Sequence, residues 1–214
     1  MAHGHFRQPP DFDLYLVTDR RETRGRDLLA VVEQALDGGV RAIQLREKDL
    51  GGREIFSLAE KAKALCGRYG ASFFINDRID VALAVDADGA QLGSGSMPMD
   101  TARRLVGEKK LLGASTHSMK EALAAEADGA DFILFGPIYF TPSKAAYGNP
   151  LGLERLREAV EKISVPVYAI GGIKPENVPA VKKTGARGVA LISAVISAEA
   201  PTAASKEILR LLKE

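Results

Sequence analysis

The chain has 214 residues, 46% hydrophobic and 27% charged, and its 29 Lys and Arg against 28 Asp and Glu leave a formal charge of +1. That balance suits one globular domain and excludes the general basic footprint of a nucleic-acid binder. No apolar run reaches the roughly 18 residues of a membrane span, and no signal-peptide pattern opens the chain. The default compartment is therefore cytoplasmic, with neither membrane nor nucleic acid expected as a partner. A lone cysteine, Cys66, excludes an internal disulfide and a multi-thiolate metal site. It falls in a helical pattern and reads as a buried, inert thiol.

Residues 1–12, MAHGHFRQPPDF, read as a flexible tail ending in a Pro-Pro stop, with 13–214 as the folded domain. His3 and His5 on that tail are too thin a signal for a metal site. Leu14 to Thr18 is a nearly continuous apolar run, the mark of a buried strand, and it ends at the polar pair Asp19-Arg20. A helix is predicted over Asp27 to Asp37, with Asp27 as N-cap and Gly38-Gly39 as the stop. The alternation then repeats. Strands are predicted at Ala42 to Leu45, Ser72 to Ile75, Gly89 to Leu92, Leu111 to Ala114, Phe132 to Phe135, Val165 to Ile170 and Gly188 to Ile192. The helices between and after them are predicted at Arg53 to Arg68, Ile79 to Val85, Met99 to Val106, Met119 to Ala127, Leu153 to Ile163, Glu176 to Lys183 and Thr202 to Leu212.

Eight strand-helix units, each strand running into polar or glycine residues at its C-terminal end, are what a single-domain (β/α)8 TIM barrel requires. The alternative, an open doubly wound sheet, predicts a glycine-rich fingerprint after the first strand. Val17-Thr18-Asp19-Arg20 contains no glycine. In a barrel the loops after the strands build the active site, so one face should collect residues from Thr18 to Ser193.

The longest of those loops, Phe135 to Gly152, exceeds the length that compact domains usually leave without structure, and it carries Thr141-Pro142-Ser143-Lys144, suited to an anionic oxygen cluster. Gly171-Gly172 follows the seventh strand, where such barrels hold phosphate on backbone N–H groups; a plain tight turn is the simpler reading. Gln44 and Arg46 share one face of their strand, and if Ile43 and Leu45 face the helices they point into the barrel mouth. A guanidinium there needs either a ligand or a carboxylate partner such as Asp19 or Asp77. Asn76-Asp77 sits where a carboxylate could hold Mg²⁺ beside a diphosphate, although one carboxylate is a thin metal site. His117 ends the fifth strand, as a proton shuttle or as a hydrogen-bonded structural histidine.

Taken in order, LYLVTD, QLREK, INDR, STHS, GPIYFTPSK, AIGGI and GVALIS resemble the motifs of the thiamine phosphate synthase family, over Leu14 to Ser193. The resemblance implies a TIM barrel that joins hydroxymethylpyrimidine diphosphate to a thiazole phosphate, releasing diphosphate and forming thiamine phosphate. It implies that Gln44, Arg46, Lys48 and Asn76 hold the pyrimidine diphosphate and that Asp77 binds Mg²⁺. Ser115 and Lys144 would contact the diphosphate, forming the catalytic set with Arg46 and His117. Thr141 and Ser143 would lie on the thiazole phosphate side, and Gly172 and Ser193 would complete its cradle, with the long loop as a flap over both anions.

One departure stands out. The family usually places a second carboxylate for Mg²⁺ after the fourth strand, whereas this chain reads Gly93-Ser94-Gly95-Ser96, with Ser96 at the carboxylate position. The Mg²⁺ site is then weakened, and two alternatives stay open. One is a thiazole tautomerase, similar in fold, in which a histidine matching His117 moves the proton; the other is a catalytically silent barrel that binds thiamine precursors. Small phosphorylated molecules are the expected partners, and barrel-face helices carry no signal for or against a homo-oligomer.

Overall fold

Eight strands pair in parallel and in sequence order, and the last closes on the first: Leu14–Val17 (β1), Ala42–Leu45 (β2), Ser72–Asn76 (β3), Gly89–Leu92 (β4), Leu111–Thr116 (β5), Phe132–Phe135 (β6), Val167–Ile170 (β7) and Gly188–Leu191 (β8). This is a (β/α)8 barrel in a computed structural model that describes residues 10–141 and 149–214. The helices are Leu28–Asp37 (α1), Gly52–Arg68 (α2), Ile79–Ala84 (α3), Met99–Val106 (α4), Met119–Ala127 (α5), Gly152–Lys162 (α6), Val178–Lys182 (α7), Ser193–Ile196 (α8) and Pro201–Leu211 (α9). Among the described residues no helix is long and apolar enough to cross a membrane.

The two-residue period of the strands sorts their side chains. Leu14, Leu16, Ile43, Leu45, Phe73 and Ile75 point outward into the layer shared with the helices. Tyr15, Val17, Phe74, Phe132, Leu134, Tyr168 and Ala190 point inward and fill the barrel. Large rings fit there because small residues face them. A Cβ added at Gly113 would come within 2.4 Å of the Phe132 ring, and one at Gly89 within 2.8 Å of Phe74. Parallel strands need both faces covered, and the continuous apolar runs of the sequence follow from that.

Helix starts and stops follow local chemistry. The Asp27 carboxylate accepts from the Ala30 amide at the start of α1, and the Ser118 hydroxyl accepts from the Glu121 amide at the start of α5. Gly39, Gly129 and Gly185 take up positive φ after α1, α5 and α7, where a residue with a Cβ is penalised.

Among the differences from expectation, four have a physical origin. Phe12, assigned above to the tail, is 5% exposed; its ring stacks on Tyr15 and Tyr168, and its carbonyl accepts from the Tyr168 hydroxyl at 2.9 Å. The chain thus plugs the N-terminal end of the barrel two residues before β1 begins. β7 starts at Val167, after Pro166, which has no N–H to give to a ladder. The helix expected over Glu176 to Lys183 opens as a 3₁₀ turn, Pro175–Asn177, because Pro179 has no amide to bond back across that turn. The short helix α8 was not expected at all; one turn is too brief to show a period.

Cys66 is fully buried in α2, and burial pushes its thiol up to about 12, against a weaker opposing pull from Lys63. Iodoacetamide at about pH 8 is therefore expected to leave the folded protein unmodified and to label it once denatured. Rapid labelling of the folded protein would show that the thiol is neither buried nor protonated.

Candidate active site

The C-terminal ends of the strands form a rim in which each loop is tied to its neighbour. After β1, the Thr18 hydroxyl donates to Glu47 at 2.6 Å and accepts from the Arg46 amide at 3.0 Å. The buried Glu47 carboxylate also takes the Arg20 amide at 3.0 Å. Glu47 thus fixes the main chain that carries Arg46, a role that a lone acidic residue in QLREK does not reveal.

Gln44 points inward and is 2% exposed, and its Nε2 has no hydrogen-bond partner among the described residues. Beside it, burial pushes the Tyr15 phenol up, and Gln44 offsets part of that shift. Arg46 is half-buried, and among the described residues its guanidinium makes no hydrogen bond or ion pair. The internal salt bridge considered as an alternative does not form. Asp19 is taken by Arg21 in a two-point contact at 2.9 and 2.8 Å, which holds its carboxyl below the usual carboxylate range. Asp77 is engaged elsewhere. A half-buried cation that the fold does not pair is costly unless a ligand pairs it. Lys48 is exposed at the same mouth.

Asp77 follows β3 with φ at +60°, and its amide donates to the Gln91 carbonyl at 3.0 Å. The Asn76 amide donates to Asp77 Oδ2 at 2.8 Å, and the Ser96 hydroxyl donates to Asp77 Oδ1. Ser96 in turn accepts from the Gly93 amide at 2.7 Å. Ser96 therefore faces Asp77 across the gap between two loops, as its place in the motif implied. The set holds one carboxylate with a hydroxyl and an amide beside it. Among the described residues no group of three or more His, Cys, Asp or Glu converges on a metal position. One carboxylate with phosphate oxygens from a substrate is nevertheless a usual way to bind Mg²⁺, so the donor chemistry is compatible with that ion.

On β5, Ser115 Oγ lies 3.0 Å from Gln91 Nε2. His117 Nδ1 lies 2.5 Å from the Gly136 carbonyl, and its amide donates to Glu121 at 2.8 Å. A carbonyl only accepts, so Nδ1 carries the proton in the neutral ring and Nε2 carries the lone pair.

The loop after β6 runs alongside β7: the Ile138 amide donates to Ile170 at 2.9 Å and the Tyr139 amide to Gly171 at 3.0 Å. Gly172 has φ at +66°, and a Cβ there would meet the Phe140 carbonyl at 2.5 Å. The glycine pair is thus required by the close passage of the long loop as well as by the turn. Thr141 is half-buried on that loop. Ser143 and Lys144 lie outside the described residues, as do residues 142–148 as a whole within the flap expected there. Ser193 is exposed at the start of α8, where the Val195 and Ile196 amides already donate to the Ile192 carbonyl at 3.2 and 2.9 Å. Gln44, Arg46, Lys48, Asn76, Asp77, Ser115, His117, Thr141, Gly172 and Ser193 thus all sit at one end of the barrel. A groove of about 500 Å³, lined by Arg41, Lys206, Arg210 and Lys213 among others, opens at the opposite end near Asp11 and Phe12.

Comparison with known proteins agrees with the barrel fold. A family model described as thiamine monophosphate synthase matches residues 14–195. The chain is 54% identical over 202 residues to a putative thiamine-phosphate synthase of Geobacter sulfurreducens, covering 94% of this chain and 95% of that one. It is 44% identical over 201 residues to a thiamine-phosphate synthase of Desulfitobacterium hafniense, covering 94% and 97%. Among solved structures, a thiamine phosphate pyrophosphorylase from Pyrococcus furiosus superposes with a TM-score of 0.87 at 42% identity, covering 94% and 96%. A 3-hexulose-6-phosphate synthase, at a TM-score of 0.72 and 21% identity, shares the barrel fold.

Proposed function

We infer that this chain, which belongs to the thiamine monophosphate synthase family, is a transferase that couples hydroxymethylpyrimidine diphosphate to thiazole phosphate. The reaction forms the C–N bond of thiamine phosphate and releases diphosphate. The observation that carries this reading is likeness over nearly the whole chain to relatives named as synthases, at 54% and 44% identity. The same likeness favours synthase over the tautomerase and silent-binder alternatives.

The rim supports the chemistry in its own terms. Departure of diphosphate from the pyrimidine builds negative charge on the leaving oxygens, and fixed positive charge lowers that barrier most when it needs no reorganisation. Arg46 supplies such a charge, held in no hydrogen bond or ion pair among the described residues, with its main chain fixed by Thr18 and Glu47. Lys48 adds charge at the mouth, and Ser115 a hydroxyl. Gly172 and Ser193 lie where backbone amides can take the phosphate of the thiazole. Mg²⁺ would neutralise part of the diphosphate charge, held by Asp77 with Asn76 and Ser96 beside it.

The test is incubation of the purified protein with both precursors and Mg²⁺. Thiamine phosphate and diphosphate should appear in equal amounts. No thiamine phosphate, with turnover of the thiazole tautomer that is lost in His117→Ala, would establish the tautomerase reading instead.

Ser96 offers a separate test. Ser96→Asp places a second carboxylate against Asp77, so the metal-free variant is expected to melt below the wild type. Its affinity for Mg²⁺ should rise roughly tenfold or more, read as a steeper gain of melting temperature with added Mg²⁺. An unchanged Mg²⁺ dependence would mean that Ser96 does not face the metal.

A further inference from the structure

We infer that Gln91 is a positioning residue that fixes the Ser115 hydroxyl as a donor to the diphosphate; this rests on the reading of Ser115 given above. Gln91 lies on the inner face of β4, 1% exposed, with Nε2 3.0 Å from Ser115 Oγ. An amide N–H only donates, so the hydroxyl oxygen takes this bond and its own proton is turned away from Gln91. Among the described residues the Ser115 hydroxyl donates to no other group, and Ser115 is half-buried at the rim. Its proton is therefore committed towards an acceptor in the cleft.

The other end of the same carboxamide is held at a cost. Gln91 Oε1 is buried with no partner among the described residues, and a Cβ at Gly113 would come within 2.1 Å of it. An orphaned buried carbonyl disfavours the fold, and an apolar side chain of similar shape would avoid that cost. Gln91 thus spends stability to orient Ser115. Its backbone carbonyl meanwhile receives the Asp77 amide, so one residue braces two groups of the proposed site.

The test is calorimetric titration of inorganic diphosphate, with Mg²⁺ present, into the wild type, Ser115→Ala, Gln91→Met, Gln91→Leu and the Gln91→Met/Ser115→Ala double variant. Ser115→Ala should weaken binding by about tenfold, the scale of one hydrogen bond to a charged oxygen. Gln91→Met should lose most of that factor, and the double variant should lose no more than Ser115→Ala. Melting temperatures of Gln91→Met and Gln91→Leu should match or exceed the wild type. If Ser115→Ala weakens binding but both Gln91 variants bind like the wild type, the inference fails and the Ser115 reading stands. Losses that add in the double variant, or that follow a fall in melting temperature, would make Gln91 merely structural and also overturn the inference. If Ser115→Ala binds like the wild type, the Ser115 reading fails and takes the inference with it.

Discussion

Arg46→Ala is expected to lower kcat/KM for thiamine phosphate formation by roughly two to three orders of magnitude, the usual cost of losing one fixed group that stabilises charge in the transition state. The same substitution should leave the melting temperature at or slightly above that of the wild type, because it removes a half-buried charge that pairs with nothing among the described residues. The reason is the division of labour on the rim. The main chain at Arg46 is held through its amide by Thr18, and Thr18 by Glu47, whereas the guanidinium pairs with nothing among the described residues. Asp19, one of the two partners that the sequence offers, is committed to Arg21. Arg46→Lys keeps a charge but loses the planar fork, and an intermediate loss is expected. A variant that melts lower while turning over at the wild-type rate would mean that Arg46 serves the fold.

Gly172→Ala should be among the most damaging single-methyl changes at the site. Two costs combine there. An alanine at φ +66° sits in the left-handed region, and its Cβ would approach the Phe140 carbonyl to 2.5 Å and Tyr139 to 2.8 Å. The backbone cost alone is about 1–2 kcal/mol, and relief of the clash must push the loop after β6 off the end of β7. A drop of roughly 5–10 °C in melting temperature is expected for a chain of this size, with at least about a hundredfold loss of kcat/KM as Thr141 is displaced. Gly129→Ala is the matched control. Its φ is +95°, yet a Cβ there meets nothing within 4 Å. It should pay the backbone cost only and keep wild-type kinetics. If both variants lost activity equally, the close approach at Gly172 would not be the cause.

The barrel was legible because its signals are local. β4, α4, α5 and β6 fall where continuous apolar runs, helical spacing and glycine stops placed them. Gln44 and Arg46 were found by a simple rule, a polar residue at every second position of a buried strand. Gln91, between Ala90 and Leu92, is the single polar side chain of β4 and gives that rule no alternation to act on. Other features lie beyond any local reading. That Ser96 reaches Asp77, nineteen positions earlier, is legible only through the family motif, because it depends on how two loops turn. That Gly172 must be glycine on account of Phe140 depends on a loop from another strand. That Phe12 belongs to the barrel depends on the space left beneath Tyr15 and Tyr168, which only closure of the sheet creates.

Whether the rim at the strand C-termini is the reaction site is measured most directly by a crystal structure with manganese and inorganic diphosphate. The anomalous signal of manganese should lie within about 2.3 Å of the Asp77 carboxylate, as a hard divalent cation on oxygen ligands requires. Diphosphate oxygens should contact Arg46 and Ser115. Diphosphate seated instead in the basic groove at the opposite end of the barrel, beside Arg41 and Lys206, with no manganese at Asp77, would contradict this assignment.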